Sequence, residues 1–170
     1  MGDATFKGKL LVALPVLVDK NFDRTVVFML EHSDAGAVGV VINRPSPLSV
    51  GEPLPNWVAV AADPPVVFVG GPVSTSSAIG LVERGTEIAT VDLEQDPEDE
   101  SLRVRVFAGY AGWGSGQLED EIGAGAWIVV DAEAGDVMSD EPEELWPDVL
   151  RRQGGHLAAV ADFPEDPTLN

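Results

Sequence analysis

The sequence predicts an α+β fold built on a largely antiparallel, strongly curved sheet carrying a few short helices. Three observations point there. About eight strand-like runs stand against two or three helical segments in 170 residues. Strands and helices do not alternate regularly, which argues against a doubly wound parallel sheet. Several strand runs, residues 25–30 and 37–42 above all, are apolar almost without interruption, as strands covered on both faces are.

Composition sets the frame for those elements. A hydrophobic content of 45% with only 23% charged residues supports a folded chain, and 170 residues suit a single domain over 1–170 that buries a core without disulfide or metal. There is no cysteine, so disulfides, thiolate nucleophiles and zinc–cysteine sites are excluded. Residues 1–14 carry no basic stretch ahead of a long apolar run, and no window reaches the roughly 18 apolar residues of a membrane span. The expectation is a cytoplasmic protein with no membrane partner. A net charge of −19, from 29 acidic and 10 basic residues, repels phosphate backbones and disfavours direct nucleic-acid binding.

In chain order, residues 7–14 read as a first strand ended near Pro15, since proline lacks the N–H a ladder needs. Residues 19–24 are a polar turn. Residues 25–30 and 37–42 flank a turn over 31–36 and form a hairpin. Asn43, Arg44, Pro45, Ser46 and Pro47 stop the strand, and residues 48–62 read as loop or a short helix around Trp57. Further strands are predicted over 65–69, 78–82 and 88–91, and residues 94–100 form an acidic loop. Residues 102–107 alternate, which places Arg103 and Arg105 on one face and apolar side chains on the other.

Next comes the most distinctive stretch, residues 109–119, with glycines at 109, 112, 114 and 116 and the aromatics Tyr110 and Trp113 among them. It reads as a tight corner between the preceding strand and a helix over 117–122, capped by Ser115 and stopped at Gly123. Residues 127–130 are the last strand. Asp140 and Glu143 have capping-box spacing ahead of a helix with Leu145, Trp146, Val149 and Leu150 on one face and Gly154 and Gly155 as its stop. Pro147 requires that helix to start later than Asp140 or to kink.

Chemistry is thinly marked. The corner leads into a helix N-terminus, as phosphate loops do, but lacks the P-loop lysine and the dinucleotide glycine spacing, and Glu119, Asp120 and Glu121 oppose an anion. A structural corner is the first reading and an anion site the second. A serine hydrolase would need Ser115 beside His156, without any nucleophile-elbow motif; helix capping is the plainer role for Ser115. Glu31 and His32 point to opposite faces of a strand, so a metal site there gives way to a solvated hairpin turn. Asp23 and Arg24, and Asn43, Arg44 and Pro45, each set a guanidinium beside a short polar side chain at a strand end. These arginines serve either loop carbonyls and acids of the chain itself or a carboxylate, phosphate or acidic partner.

The segments 8–13 (GKLLVA), 22–26 (FDRTV), 39–45 (GVVINRP), 70–73 (GGPV), 109–119 (GYAGWGSGQLE) and 169–170 (LN) recur in order from end to end, and the chain resembles the YqgE/AlgH family of bacterial proteins. It departs from that pattern at the acidic loop around Asp96 and at Pro147. The resemblance implies a bifurcated sheet closed into a pseudo-barrel. It also carries the family's description as transcriptional regulators, a label without a mechanism. The reading that follows is a binding or regulatory domain acting indirectly through a protein or small-molecule partner, not an enzyme, with no metal or cofactor. Its candidate ligand residues are Arg24, Asn43, Arg44, Tyr110, Trp113 and Ser115. The alternative is an enzyme acting on a small anionic substrate in a pocket formed by Arg24, Arg44 and the 109–116 corner.

Overall fold

One long strand organises the architecture by serving two sheets. The structure, a computed structural model, describes residues 5–162 apart from 18, 20 and 134, so Lys20 of the first turn and the terminal Leu169 and Asn170 lie outside the described residues. The strands are β1 (Leu10–Ala13), β2 (Val26–Ser33), β3 (Gly36–Val41), β4 (Pro45–Ser49), β5 (Val66–Val69), β6 (Val73–Arg84), β7 (Glu87–Val91), β8 (Arg103–Gly114) and β9 (Trp127–Val130). The helices are α1 (Gln117–Gly123), α2 (Leu145–Gln153) and α3 (Gly155–Val160), with 3-10 turns at Val58–Val60 and Pro142–Glu144. The first half of β8 lies between β5 and β6, with Val67 opposite Val106 in parallel and Gly80 opposite Val106 antiparallel. Its second half pairs with β3, Gly36 opposite Gly114 through Gly39 opposite Ala111. One sheet arm therefore runs β8, β3, β2, β1, β9 and the other runs through β4, β5, β8, β6 and β7. The result is the predicted mostly antiparallel, curled and forked sheet, a half-barrel whose strand order does not close.

Burial explains the uninterrupted apolar strands. Leu10, Val12, Val26, Phe28, Val40 and Ile42 face the concave side, where α2 lays down Leu145, Trp146, Val149 and Leu150. Their neighbours Leu11, Ala13, Val27, Met29 and Val41 face the opposite side, against Trp113, Leu118 and Trp127. Val67, Val82, Val104 and Val106 back onto Trp57. Trp146 also donates its indole N–H to the Ala13 carbonyl at 2.7 Å, which satisfies the polar end of a buried aromatic. Deleting such a side chain removes about 3–5 kcal/mol.

Several local expectations change in the fold. The 37–42 strand does stop before residues 43–47, β3 ending at Val41, but Pro45 also opens a new strand; β4 is an outermost strand, where a missing N–H breaks no ladder. The glycine-rich stretch is not a corner until Gly114, because residues 109–114 continue β8. Ser115 does not cap α1, whose N-cap is Gly116 with no side-chain bond. Asp140 does not start α2. The Ser139 hydroxyl instead accepts the Glu141 N–H, a 3-10 turn follows, and α2 begins at Leu145. Pro147 thus falls in the first turn, where backbone N–H groups lack intrahelical partners anyway. Gly154 does stop α2, and the short α3 follows at once, a helix the sequence reading lacks.

Arg103 and Arg105 share a face, as alternation predicts, but that face is covered at Arg105 while Arg103 stays half exposed at its margin. Arg105 is only 2% exposed, lies 4.3 Å over the Phe68 ring and donates to the carbonyls of Asp63, Val137 and Ser139 at 2.6, 2.9 and 2.8 Å. Desolvation, with Arg103 nearby, lowers its pKa to about 10, which leaves it charged at neutral pH. Arg103 donates to Met138 O, and Arg152 grips the buried Asp136 through two bonds of 2.9 and 3.0 Å. Three arginines thereby pin Glu133 and residues 136–139 beneath the sheet. No described helix is long and apolar enough to cross a membrane.

Candidate functional site

The motifs converge on one junction, the point where the two sheet arms part. Gly71 (φ 153°) and Gly109 (φ 76°) sit where β8 passes from one arm to the other. A Cβ at Gly71 would lie 2.2 Å from the Tyr110 carbonyl carbon, and one at Gly109 would lie 2.5 Å from Gly71 O. No side chain fits between two backbones that close. The Val41 N–H donates to Gly70 O and the Val69 N–H to Arg44 O, which joins the 39–45 segment to the 70–73 segment.

Asn43 completes the junction by imitating backbone. Its Oδ1 accepts the Val26 N–H at 3.0 Å and its Nδ2 donates to Arg24 O at 2.9 Å, so one amide closes the ladder where the strand ends. Arg44 donates to Asn21 O at 2.6 Å and Asp23 O at 2.9 Å. Burial pulls its pKa down, opposed in part by Asp23 and Asp19. Arg24 adopts positive φ (56°), uncommon for a non-glycine residue, and its guanidinium lies 4.5 Å over the Trp146 ring. Trp113 stacks on Phe22 at 6.2 Å and donates to Glu121 Oε1 at 3.0 Å; Trp127 donates to the same oxygen at 2.9 Å. Tyr110 is half-buried against the concave core. Ser115 lies apart, its hydroxyl donating to Asp34 O at 2.6 Å.

Of the six candidate residues, then, Arg24, Asn43 and Arg44 come together around the 21–26 turn. Trp113 reaches that turn through Phe22, Tyr110 sits at the glycine crossing, and Ser115 marks the far end of the strand. Glu121, which ties two indoles to α1, carries no signal in sequence beyond lying four residues after Gln117, whose amide also binds it at 3.0 Å.

His32 is not in a solvated turn. Strand β2 runs on to Ser33, and the His32 side chain is 8% exposed. The Phe6 N–H donates to its Nδ1 at 3.1 Å, so the ring proton sits on Nε2 and is donated to Glu119 Oε2 at 2.8 Å. The Phe6 ring stacks on it at 4.5 Å. This bond holds the exposed Glu119 carboxyl below the usual carboxylate range.

A larger open space lies between the arms. A cleft of about 520 Å³ is walled by Phe28, Met29 and Leu30 of β2, Val38 of β3, Leu81 of β6 and Ile88 of β7. Its polar lining is Lys7, Glu31 and Thr90, and Lys7 is paired with Glu31 at 3.4 Å. A second cavity of about 320 Å³ shares Gly8, Phe28 and Ile88 with it and continues past the 85–88 turn to Ala132, Glu133 and Val137. The cleft exists because the two arms diverge from β8 and β7 does not reach β2. Of its lining residues only Glu31, weighed as a metal ligand, and Gly8, in the 8–13 segment, stood out in sequence; the apolar walls are ordinary members of strands.

Comparison with known proteins places this architecture. The AlgH-like family model matches residues 10–158. The UPF0301 protein of Streptomyces coelicolor is 50% identical over 98% of this chain and 96% of its own length, and that of Thermobifida fusca is 44% identical over 100% and 98%. Among solved structures, protein DIP2367 of Corynebacterium diphtheriae superposes with a TM-score of 0.86 at 31% identity, covering 95% of this chain and 94% of that one. The AlgH protein of Pseudomonas aeruginosa does so with a TM-score of 0.69 at 28% identity, covering 95% and 96%. Sequence, forked sheet and motif order agree, and the chain belongs to the AlgH-like, UPF0301 family.

Proposed function

We propose that the protein is a non-enzymatic, cytoplasmic binding domain that takes its ligand in the cleft between β2 and β7, and that any regulatory effect runs through what it binds there. The observation that carries this is the cleft itself: its volume lies within the range of small-molecule and peptide sites, and its walls are apolar. Its charged groups, Lys7 and Glu31, neutralise each other, an arrangement suited to holding a ligand and not to moving a proton. Carboxylates dominate the rim, so the ligand is neutral or basic and not a nucleic acid.

The reading of a small anionic substrate at Arg24 and Arg44 has less support. Two Arg44 nitrogens already bond carbonyls of the chain, and the Arg24 guanidinium lies on Trp146. Methyl NMR during titration with a set of small apolar fragments tests the proposal. Shifts confined to the methyls of Met29, Leu30, Leu81 and Ile88, with Val149 and Leu150 silent, are expected. Shifts clustered instead near Arg24 and Arg44, or none at any fragment, would overturn it.

A further inference from the structure

We infer that the ligand of this cleft is an extended, basic stretch of polypeptide that adds a strand to the free edge of β7; the inference rests on the cleft reading above and names its partner. Among the described residues the fork leaves three edge strands, β4, β9 and β7, each paired on one side only. Exposed edges invite unwanted pairing, and proteins blunt them with proline, charge or shortness. β4 carries Pro45 and Pro47. β9 has four residues, and its Trp127 is tied to α1 through Glu121. β7, reading Glu87, Ile88, Ala89, Thr90, Val91, has no proline, is rich in β-branched residues and borders the cleft.

Register shows which groups are on offer. Arg84 pairs with Glu87 across Gly85 (φ 63°) and Thr86, a two-residue hairpin with glycine first, as a type II′ turn requires. The pair flanking such a loop is hydrogen-bonded, so by alternation Glu87, Ala89 and Val91 bond β6 while Ile88 and Thr90 turn N–H and C=O outward. A strand laid there would lie about 4.8 Å from β7, inside the gap to β2. Every second side chain would enter the apolar cleft.

Charge selects the partner. The two joined cavities are lined by Glu31, Glu83, Glu87 and Glu133 against the single cation Lys7. Glu31, Glu83 and Glu133 are paired with Lys7, Arg103 and Arg152. Glu87, at the start of the free edge, has no ion-pair partner among the described residues. A lysine or arginine opposite Glu87, on a segment with apolar residues at alternate positions, completes both the edge and the charge.

Selection of random dodecapeptides by display on the intact protein tests this, followed by fluorescence polarisation on synthesised winners. Enriched peptides are expected to carry net positive charge with alternating apolar residues. Thr90→Pro, which deletes one outward N–H without touching the β6 ladder, is expected to weaken them about tenfold. Glu87→Gln is expected to weaken binding about threefold and flatten its salt dependence. A second arm needs no mutant: the same peptides N-methylated on alternate backbone nitrogens should lose binding. Winners that bind Thr90→Pro or survive N-methylation as well as the parent overturn strand addition; if they still shift the Leu81 and Ile88 methyls, the cleft reading stands alone. Enrichment of acidic or charge-neutral sequences, or none above background, overturns the basic partner. A dimer in light scattering that Thr90→Pro dissolves overturns it in favour of a second copy of the chain.

Discussion

The junction and the cleft lie on either side of the same fork and are built on opposite principles. At the junction nearly every polar group is satisfied within the chain: Asn43 stands in for backbone, Arg44 binds two loop carbonyls, and glycines let main chains touch. At the cleft, apolar side chains border open volume and a strand edge lies unpaired. Most of the residues that make this sequence recognisable therefore build the fork, and, Gly8 and Glu31 apart, unremarkable residues line the cleft that the fork opens. Distinctive sequence marks stringent geometry, which is as often architectural as functional.

That contrast is sharpest at Gly71. Gly71→Val forces a side chain into the Tyr110 backbone and is expected to cost more than about 4 kcal/mol, so little soluble folded protein should be recovered. A soluble variant with a wild-type circular dichroism melt would break the claim that the fork depends on this approach. Next is Arg105→Ala, which strands three carbonyls under the sheet. A loss of about 3–5 kcal/mol is expected, read as a melting temperature lower by about 10 °C or more. The test for Arg44→Ala is smaller and more pointed. Charge-assisted bonds are worth about 1.5–3 kcal/mol each when desolvated; both of Arg44's are exposed, so a total of about 1.5–3 kcal/mol is expected, and a melt unchanged within error would return Arg44 to the pool of ligand-binding residues.

The smallest effect is that of Glu119 with pH. Its folded pKa is depressed by the bond from His32, so the stabilisation it brings is complete above the ordinary carboxylate range and is lost as pH falls through the lowered value. Glu119→Gln should accordingly reduce the stability difference between pH 7 and pH 3 in parallel denaturant titrations. An unchanged difference would show that the His32 pair is electrostatically idle.

Much of the fold was legible in the sequence, for reasons that differ by element. The β2–β3 hairpin and β5 were readable from β-branched apolar runs bounded by turn residues, and α2 from the spacing of Leu145, Trp146, Val149 and Leu150. Pro147 called for a late helix start or a kink, and the structure takes the late start. The errors cluster where a residue has two uses. Gly109 reads as a turn because glycine usually marks one, yet here it keeps a strand running past another backbone. Pro45 reads only as part of a strand stop, which it is for β3, yet it also opens an edge strand that tolerates it. Ser115 reads as a cap, yet its hydroxyl is taken by Asp34 O. Arg105 reads as one of two polar residues on a strand face, and nothing local shows that residues 137–139 will cover it.

By itself the sequence determined strand propensity, the two-faced burial of those strands, the helix around Trp146 and the acidic charge, because each follows from composition and short-range spacing. The tertiary structure alone decided that β8 would serve two sheet arms, that Asn43 and Arg44 would spend their polar groups on the chain, and that β7 would be left with a free edge beside an apolar cleft. Those outcomes depend on which segments distant in sequence meet, and on the close approach of backbones at Gly71 and Gly109.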